Sequence, residues 1–294
     1  MKKILSSLLL LSVFLTCTSF YFMFSGYDDK YVNIVTVDYK KEKIIMVNML
    51  MDEGRVKAKY FAAKDNNGNS VYERYKHWEK GKNVIVISSG TYLNYMGEPD
   101  GLTIDDGVIV NNVLSEKFDA LVVVNNTGGI SVSSLKEANL TIKCNTENKV
   151  FDLRKSWDKT LFCQCAKDQE ATVFQTHLLV YKDVLKFGAN PLECYNCGAA
   201  RERRFLAVCK DENNKTVHLI IHLPSASTLY DATKKVFDFL KVYADMKEVT
   251  FMVNLDVGAQ DVFQMYDKNK TVLNNVQGRL DPSYAHNLLA YYFQ

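Results

Sequence analysis

The fold and the site of this protein are best argued from the stretch that reads Phe251-Met-Val-Asn-Leu-Asp-Val-Gly-Ala-Gln260. Its first half is apolar and predicts a buried strand over 250–255, and the chain then breaks at Gly258. Residues two apart on a strand point to the same side, so Asn254 and Asp256 are placed to act on one ligand. A carboxylate at a strand end, beside a glycine that lets a ligand approach, is a common active-site arrangement. The alternative is an aspartate that only caps the following turn.

The rest of the chain is dominated by short β-branched and apolar runs separated by turn residues, a pattern that predicts strands. A hairpin is expected at 31–49 and another around Asp105-Asp106-Gly107. One helix is clear, over 227–243, where Val236, Phe239 and Leu240 share a face. Further strands are predicted at 56–62, 84–88, 120–124, 174–181, 205–209, 217–222 and 285–292. About ten strands and one helix predict an α+β fold, a mixed, strand-rich single domain with a twisted central sheet.

The N-terminus carries an export signal. Lys2 and Lys3 precede a stretch from Ile4 to Phe24 that contains no charged residue. About 20 such residues are enough to cross a membrane as a helix. An uncleaved anchor, a cleaved signal peptide and a lipoprotein signal at Cys17 remain alternatives. We expect residues 1–27 to form this segment and residues 28–294 to form an extracytoplasmic domain, membrane-anchored, periplasmic, at the cell surface or secreted, with the N-terminal segment contacting the membrane.

Composition narrows the class of protein. The 294 residues are 47% hydrophobic and 24% charged, with a formal net charge of +2 and no basic block. These values indicate a globular chain and argue against a nucleic-acid partner. Trp78 and Trp157 lie in polar stretches, where a glycan-stacking surface and partial burial are the alternatives. His218 and His222 lie four apart on a predicted strand without an evident third metal ligand.

Six cysteines follow the export segment, and an even number outside the cytosol favours disulfides, although the sequence does not give their pairing. A zinc site is the alternative, since four thiolates in a tetrahedral arrangement suit zinc. Its ligands would be Cys163, Cys165, Cys194 and Cys197. The one-residue spacing of the first pair is atypical for zinc. We therefore expect disulfides and no cofactor.

Six segments along the chain form an ordered set of short motifs. A strand that ends in a glycine turn is followed by a Pro and Gly-Leu, a Gln-containing strand, an Arg-led strand, a Thr-Leu helix start and an Asn-Leu-Asp motif. These segments are Ser88-Ser89-Gly90-Thr91-Tyr92, Pro99-Asp100-Gly101-Leu102, Phe174-Gln175-Thr176-His177, Arg203-Arg204-Phe205, Thr228-Leu229-Tyr230-Asp231 and Asn254-Leu255-Asp256-Val257-Gly258. This ordered set resembles the phosphodiester glycosidase family, and the resemblance extends from about Tyr31 to Phe293.

The resemblance implies an enzyme that cleaves the bond between the anomeric carbon of a sugar and a phosphate. Asp256 would be the carboxylate that directs water or stabilises an oxocarbenium-like centre. Arg203 would clamp the phosphate, and Asn254 and Asp231 would position the sugar or supporting groups. His177 would line the pocket, with a packed histidine as the alternative. The remaining residues that the resemblance places at the substrate are Gln175, Ser88, Gly90, Thr228 and Gly258.

Three departures from the family pattern weigh against retained activity. Ser88 stands where the family carries Asn, Val257 replaces a Gly, and Gln260-Asp261 replaces a Ser. A Val side chain adds bulk where backbone approaches the ligand. Two hypotheses follow: an exported hydrolase of glycosyl phosphodiesters, and a non-catalytic relative that binds a glycan or a protein partner.

Overall fold

The computed structural model describes residues 23–64, 68–137, 140–144, 147–186 and 198–294. Within these ranges the chain forms twenty strands and three α-helices. The helices are α1 Val71–Trp78, α2 Ser156–Asp168 and α3 Leu229–Val242. The strands are β1 Met23–Asp28, β2 Val32–Tyr39, β3 Glu42–Leu50, β4 Val56–Phe61, β5 Asn83–Ser88, β6 Thr103–Asp105, β7 Val108–Asn111, β8 Ala120–Val124, β9 Ile130–Ser134, β10 Leu140–Cys144, β11 Glu147–Phe151, β12 Thr172–Thr176, β13 Leu178–Tyr181, β14 Val184–Leu185, β15 Arg201–Lys210, β16 Thr216–Ser227, β17 Glu248–Leu255, β18 Val262–Tyr266, β19 Val272–Gln277 and β20 Leu288–Phe293.

The strands are divided among several antiparallel sheets, where the sequence predicts one central sheet. The eight-stranded sheet has the order β1-β2-β3-β16-β15-β17-β13-β14. A second sheet, here the β5 sheet, has the order β19-β18-β5-β20-β4, and a third, the β12 sheet, has the order β7-β6-β12-β8-β9. Strands β10 and β11 form a separate hairpin. The result is a strand-rich architecture compatible with an α+β domain.

One apolar core is shared by the three large sheets. It contains Leu206 and Val253 from the eight-stranded sheet, Tyr60 and Phe263 from the β5 sheet, and Phe174 from the β12 sheet. All five are fully buried. Burying a side chain of this size contributes roughly 1.5–3 kcal/mol, so this shared core is the main force that holds the sheets together.

Each large sheet is covered on its other face by one helix. Helix α3 packs Val236 and Phe239 onto the eight-stranded sheet, helix α2 packs Phe162 onto the β12 sheet, and helix α1 packs Tyr75 onto the β5 sheet. Helix α3 begins after Thr228, whose side chain accepts a hydrogen bond from the Asp231 amide. The predicted helix at 227–243 is confirmed, whereas α1 and α2 are not anticipated from the sequence.

The predicted strand at 174–181 is two strands. Strand β12 ends at Thr176 in one sheet and β13 begins at Leu178 in another, so the chain passes from sheet to sheet at His177. Among the predicted hairpins, β2 with β3 and β6 with β7 are both formed. Residues 23–27, which the sequence assigns to the export segment, form most of β1 and pair with β2.

None of the helices in the described part of the chain is long and apolar enough to cross a membrane. Residues 1–22 of the predicted export segment lie outside the described residues.

The structure confirms that cysteines form a disulfide, and it gives the pairing. Cys144 at the end of β10 is bonded to Cys165 in α2, while Cys163 and Cys209 are buried free thiols. Cys165 is therefore not available as a zinc thiolate. The other two residues of the zinc alternative, Cys194 and Cys197, lie outside the described residues. No group of three or more His, Cys, Asp and Glu side chains able to hold a metal ion occurs among the described residues.

Candidate functional site

The end of β17 lies where the three sheets meet. The Asp256 amide donates a hydrogen bond of 2.9 Å to the Gly90 carbonyl, just beyond the end of β5. The Asn254 amide donates 3.1 Å to the carbonyl of His177, at the crossing from β12 to β13. The Thr176 hydroxyl in turn donates to the Asn254 carbonyl. Three segments that are far apart in sequence, and that are three of the six in which the family resemblance is found, are thus joined by hydrogen bonds. We call this place the three-sheet junction.

Gly90 is required at this junction because no side chain would fit. A Cβ atom built there would lie 2.5 Å from a ring carbon of Tyr60 and 2.8 Å from Oδ1 of Asn287. The same Oδ1 accepts a 2.8 Å hydrogen bond from the Gly90 amide, and Nδ2 of Asn287 donates to the Thr91 carbonyl at 3.0 Å. The role of Gly90 in this structure is therefore close packing and positioning of the turn.

Asn254 is fully buried, and its side-chain carboxamide faces Tyr92. Its Nδ2 group donates to the Tyr92 hydroxyl. Its Oδ1 atom is buried and makes no hydrogen bond to any described residue. An unsatisfied buried acceptor costs roughly 1–3 kcal/mol, and in native proteins such a group calls for an explanation, a ligand-binding role among them.

Tyr92, Phe118 and His177 form an aromatic cluster beside Asn254. The Tyr92 ring stacks on Phe118 with 5.2 Å between centroids, and His177 stands edge-on to both rings at 5.5 and 4.9 Å. Burial lowers the pKa of His177 to about 4, and the positive charge of Arg203 acts in the same direction against the opposing charge of Asp119. The imidazole is therefore neutral at neutral pH.

The carboxyl group of Asp256 is a weaker acid than an ordinary aspartate. Burial, and after it the negative charge of Asp261, raise the pKa of Asp256 to about 6. Hydrogen bonds from the amides of Gly258 and Val257 oppose the shift, as does the charge of Arg204. The difference from the ordinary 3.8 corresponds to about 3 kcal/mol of penalty on the ionised form. Burial, and next the charge of Asp256, also raise the pKa of Tyr92, so the two groups share one environment.

A buried ion pair lies next to Asp256. Arg204 and Asp261 are 0% and 1% exposed, and the two guanidinium nitrogens of Arg204 bind the two carboxylate oxygens, one of them at 2.9 Å. The guanidinium also lies 4.4 Å from the ring centroid of Phe263. The Asp261 amide donates to the Gly258 carbonyl at 3.1 Å. This pair therefore fixes the loop that carries Asp256.

Arg203 points to the opposite face of β15 from Arg204. Its side chain is buried, and its Nε donates 3.0 Å to the Ser227 carbonyl while one terminal nitrogen donates to the Ala199 carbonyl. Burial lowers the pKa of Arg203 to about 10, opposed by Tyr92. The positive charge of Arg203 lowers the pKa of Tyr92, while the charge of Asp256 raises it. Arg203 is therefore close enough to interact electrostatically with the candidate site.

Asp231 and Thr228 lie in a helix cap. The Thr228 hydroxyl accepts from the Asp231 amide at 3.0 Å and donates to the Asp231 carboxylate at 2.7 Å. Both residues line an open groove of about 540 Å³ together with Lys40 and Lys234. Arg203 links this groove to the three-sheet junction, because it binds the carbonyl of Ser227, a residue that lines the groove.

Two other residues that the resemblance places at the substrate form hydrogen bonds within the protein. Gln175 is fully buried; its Oε1 accepts from the amides of Leu102 and Ser115 at 2.7 and 3.0 Å, and its Nε2 donates to the Phe118 carbonyl at 3.1 Å. It thereby positions the loop that carries Phe118. Ser88 is buried and its hydroxyl donates to the carbonyl of the next residue at 2.7 Å.

Gly258 lies directly beside the Asp256 carboxyl. A Cβ atom at this position would be 3.2 Å from each carboxylate oxygen, so a glycine here keeps room around the acid while its amide donates to the acid. The structure thus gathers Asp256, Asn254, Gly258, Gly90 and His177 at the junction.

Three further residues at the junction are not singled out by the sequence: Tyr92, Phe118 and Arg204. A fourth, Asp261, is noted in the sequence only as a departure from the family pattern. Tyr92 follows the glycine turn and Arg204 follows Arg203, so both belong to segments that carry the family resemblance. The sequence does not show which face of β15 each arginine occupies. A bulge between Arg201 and Arg203 shifts the register of β15 against β16, and sequence alternation alone does not reveal it.

Comparison with solved structures shows a protein with a similar fold, whereas comparison at the level of sequence finds no match. No protein-family model matches the sequence, and no curated protein matches it. Among solved structures, the chain is similar to the catalytic domain of zebrafish N-acetylglucosamine-1-phosphodiester α-N-acetylglucosaminidase, described as auto-inhibited by its pro-peptide. The TM-score is 0.53 and the identity 12%, over 94% of this chain and 89% of that chain. A hypothetical protein from Synechocystis follows at a TM-score of 0.45 and 7% identity, over 90% of this chain and 62% of that chain. The first comparison shows a shared fold.

Proposed function

We propose that this protein is an extracytoplasmic hydrolase of glycosyl phosphodiesters in which Asp256 is the reactive carboxylate. The observation that carries the proposal is the environment of Asp256: a carboxyl with a pKa of about 6, beside Tyr92 and Asn254, at the junction where the family-like segments meet. The similarity of the fold to a phosphodiester glycosidase supports the same class of reaction.

In the proposed reaction, water attacks the anomeric carbon and the bond from that carbon to the phosphate oxygen breaks. The sugar gains a hydroxyl group and the phosphate leaves as a phosphomonoester. Ionised Asp256 accepts the proton of the attacking water. A carboxylate whose pKa is about 6 is a stronger base than an ordinary aspartate, and it is still ionised at neutral pH.

The neighbouring groups have separate roles in this proposal. The fully buried Asn254 positions the Tyr92 hydroxyl through its Nδ2 group. The Tyr92 hydroxyl and the charge of Arg203 stabilise the leaving phosphate. Asp231 supports Arg203 from the helix cap through the backbone at Ser227. Neutral His177 and Phe118 exclude water from the aromatic side of the site.

The test is hydrolysis of a panel of sugar-1-phosphate diesters, with release of phosphomonoester followed by ³¹P NMR. Because general base catalysis contributes roughly 10²–10⁴-fold, we expect Asp256→Asn to lower kcat/KM by at least about 100-fold. Wild-type kcat/KM should rise with pH through about 6, where Asp256 ionises. Asp245→Asn, an exposed carboxylate in the turn after α3, is the matched control and should leave the rate unchanged.

Turnover that survives in Asp256→Asn, or that increases as the pH falls below 6, would exclude the proposed role. Asp231→Asn tests the helix cap separately. A rate loss comparable to that of Asp256→Asn would place Asp231 in the reaction, whereas a loss of stability alone would limit it to the cap.

The second candidate is a non-catalytic relative that binds a glycan or a protein partner at the same place. It is favoured by Val257, next to Asp256, and by Arg203, whose Nε and one terminal nitrogen are held by backbone carbonyls. Saturable binding of the diesters without turnover would support it.

Two observations support export as part of the proposal. The Cys144–Cys165 disulfide suits an oxidising compartment. The uncharged stretch that precedes the described domain is long enough to direct the chain to a membrane.

A further inference from the structure

A second pocket lies at the other end of the sheets from Asp256. It has a volume of about 380 Å³, and its lining includes Trp78, Tyr292, Lys59, Asp106, Asn126 and Glu170. Tyr292 pairs with Val84, four residues before the end of β5 at Ser88. Four strand residues span about 13 Å. The pocket is therefore separate from the three-sheet junction.

Two aromatic side chains form the apolar part of this pocket. Trp78 and Tyr292 are half-buried, and their rings are perpendicular with 4.9 Å between centroids. In such a pair the edge of one ring meets the face of the other. Lys82 Nζ also lies 5.7 Å from the centroid of Tyr292, and Phe61 packs on Trp78 with 5.1 Å between centroids. Both Trp78 and Tyr292 nevertheless line the pocket. The face of an aromatic ring is negative and attracts the polarised C–H groups that line one side of a sugar ring.

The polar groups of the pocket are fixed by contacts within the protein. The Asp106 carboxylate is bound by Lys59 and, at 2.9 Å, by Arg74. Asn125 lies in the turn after β8, where its Oδ1 accepts from the Thr127 amide at 3.0 Å, the Thr127 hydroxyl at 2.6 Å and the Gly129 amide at 2.9 Å. The Asn125 Nδ2 group remains as a donor. Groups held in place before a ligand arrives lose little freedom on binding.

We propose that this pocket binds a neutral carbohydrate. A sugar hydroxyl both donates and accepts hydrogen bonds, and the pocket offers carboxylate acceptors at Asp106 and Glu170 beside ammonium and amide donors at Lys59 and Asn126. Lys59 and the Arg74 that binds Asp106 balance the charges of Asp106 and Glu170, so these groups leave no positive excess that would favour a phosphorylated ligand. The site thus differs in charge preference from the junction at Asp256, and its existence does not rest on the proposed reaction.

The test uses the fluorescence of Trp78. The protein has two tryptophans, and Trp157 is 71% exposed on α2, outside the pocket. Trp157→Phe therefore leaves Trp78 as the single reporter. The probes are neutral trisaccharides, namely maltotriose, cellotriose, chitotriose and mannotriose, with glucose 1-phosphate as the charged comparison. We expect a saturable change in emission with at least one trisaccharide and none with the phosphate.

Substitutions in the pocket decide whether the signal comes from this site. Asn126→Ala removes a hydrogen-bonding side chain, and Glu170→Gln replaces one acceptor oxygen with a donor; each should weaken binding by about tenfold. Asn213→Ala, at an exposed turn elsewhere, and Asp256→Asn should not. Saturation-transfer NMR on the unsubstituted protein gives a second readout. The proposal is overturned if no trisaccharide binds, or if binding is undiminished in both pocket variants.

Discussion

The buried pair of Arg204 and Asp261 allows a quantitative prediction. Asp261→Asn removes the negative charge but keeps the shape, so Arg204 keeps its charge in a fully buried position. The remaining acceptors near its guanidinium are the Val262 carbonyl at 3.4 Å and Nδ1 of His222 at 3.5 Å. Breaking a buried pair in this way costs roughly 3–5 kcal/mol. The amide retains one acceptor oxygen, so we expect a loss of about 3 kcal/mol, a large part of the 5–15 kcal/mol that stabilises a typical domain.

The assay is urea unfolding of wild type and variant, followed by circular dichroism, with the free energy of unfolding obtained by linear extrapolation. The matched control is Asp238→Asn, which removes the same group from an exposed pair with Lys40 at 3.4 Å and should change little. The reasoning is refuted if the two variants lose equal stability. In the Asp261→Asn protein the pKa of Asp256 should also fall, because one of the charges that raises it is gone.

Two further predictions concern packing and pH. Gly90→Ala should destabilise by roughly 1–3 kcal/mol, since its Cβ would lie 2.5 Å from a buried tyrosine ring, whereas Gly198→Ala, with open space around its Cβ, should be neutral; equal melting temperatures would contradict this. Burial lowers the pKa of His177 to about 4 and those of His218 and His222 to about 3. Because each folded pKa lies below the unfolded value of about 6.5, the stability these histidines contribute is present above pH 6.5 and is lost as pH falls toward 4. The raised pKa of Asp256 acts in the opposite direction and favours the folded state at lower pH, but it is one group against three histidines. Urea unfolding at pH 7.5 and pH 5 should give the lower stability at pH 5, and a higher stability there would exclude this account.

The sequence predicts local elements well and their assembly less well. The hairpin of β2 and β3 follows from alternating β-branched residues, and α3 follows from its apolar face and its Thr228 cap. Helix α1 has a capping box of Ser70 and Glu73, a usable signal. Helix α2 has no side-chain cap and a weak apolar face, so its sequence gave little indication of a helix.

The division into three sheets could not be predicted because alternation gives the faces of a strand but not its partner. The interruption at His177 lies within a continuous run of buried residues, where no turn residue marks the change of sheet. For the candidate site, the Asn-Leu-Asp motif predicts that Asn254 and Asp256 act together, and in the structure Asn254 lies in β17 while Asp256 directly follows the end of that strand. The burial that raises the pKa of Asp256 depends on long-range packing that a single strand does not encode.

The hydrogen bond between Gly90 and Asn287 joins residues 197 positions apart in the chain. Asn287 directly precedes β20, the last strand, which lies between β5 and β4 in the sheet order. During synthesis, β5 and β4 therefore emerge long before the strand that joins them. The turn whose Gly90 carbonyl binds the Asp256 amide is completed only after residue 287 has been added, so the candidate site forms later than the strands on either side of β20.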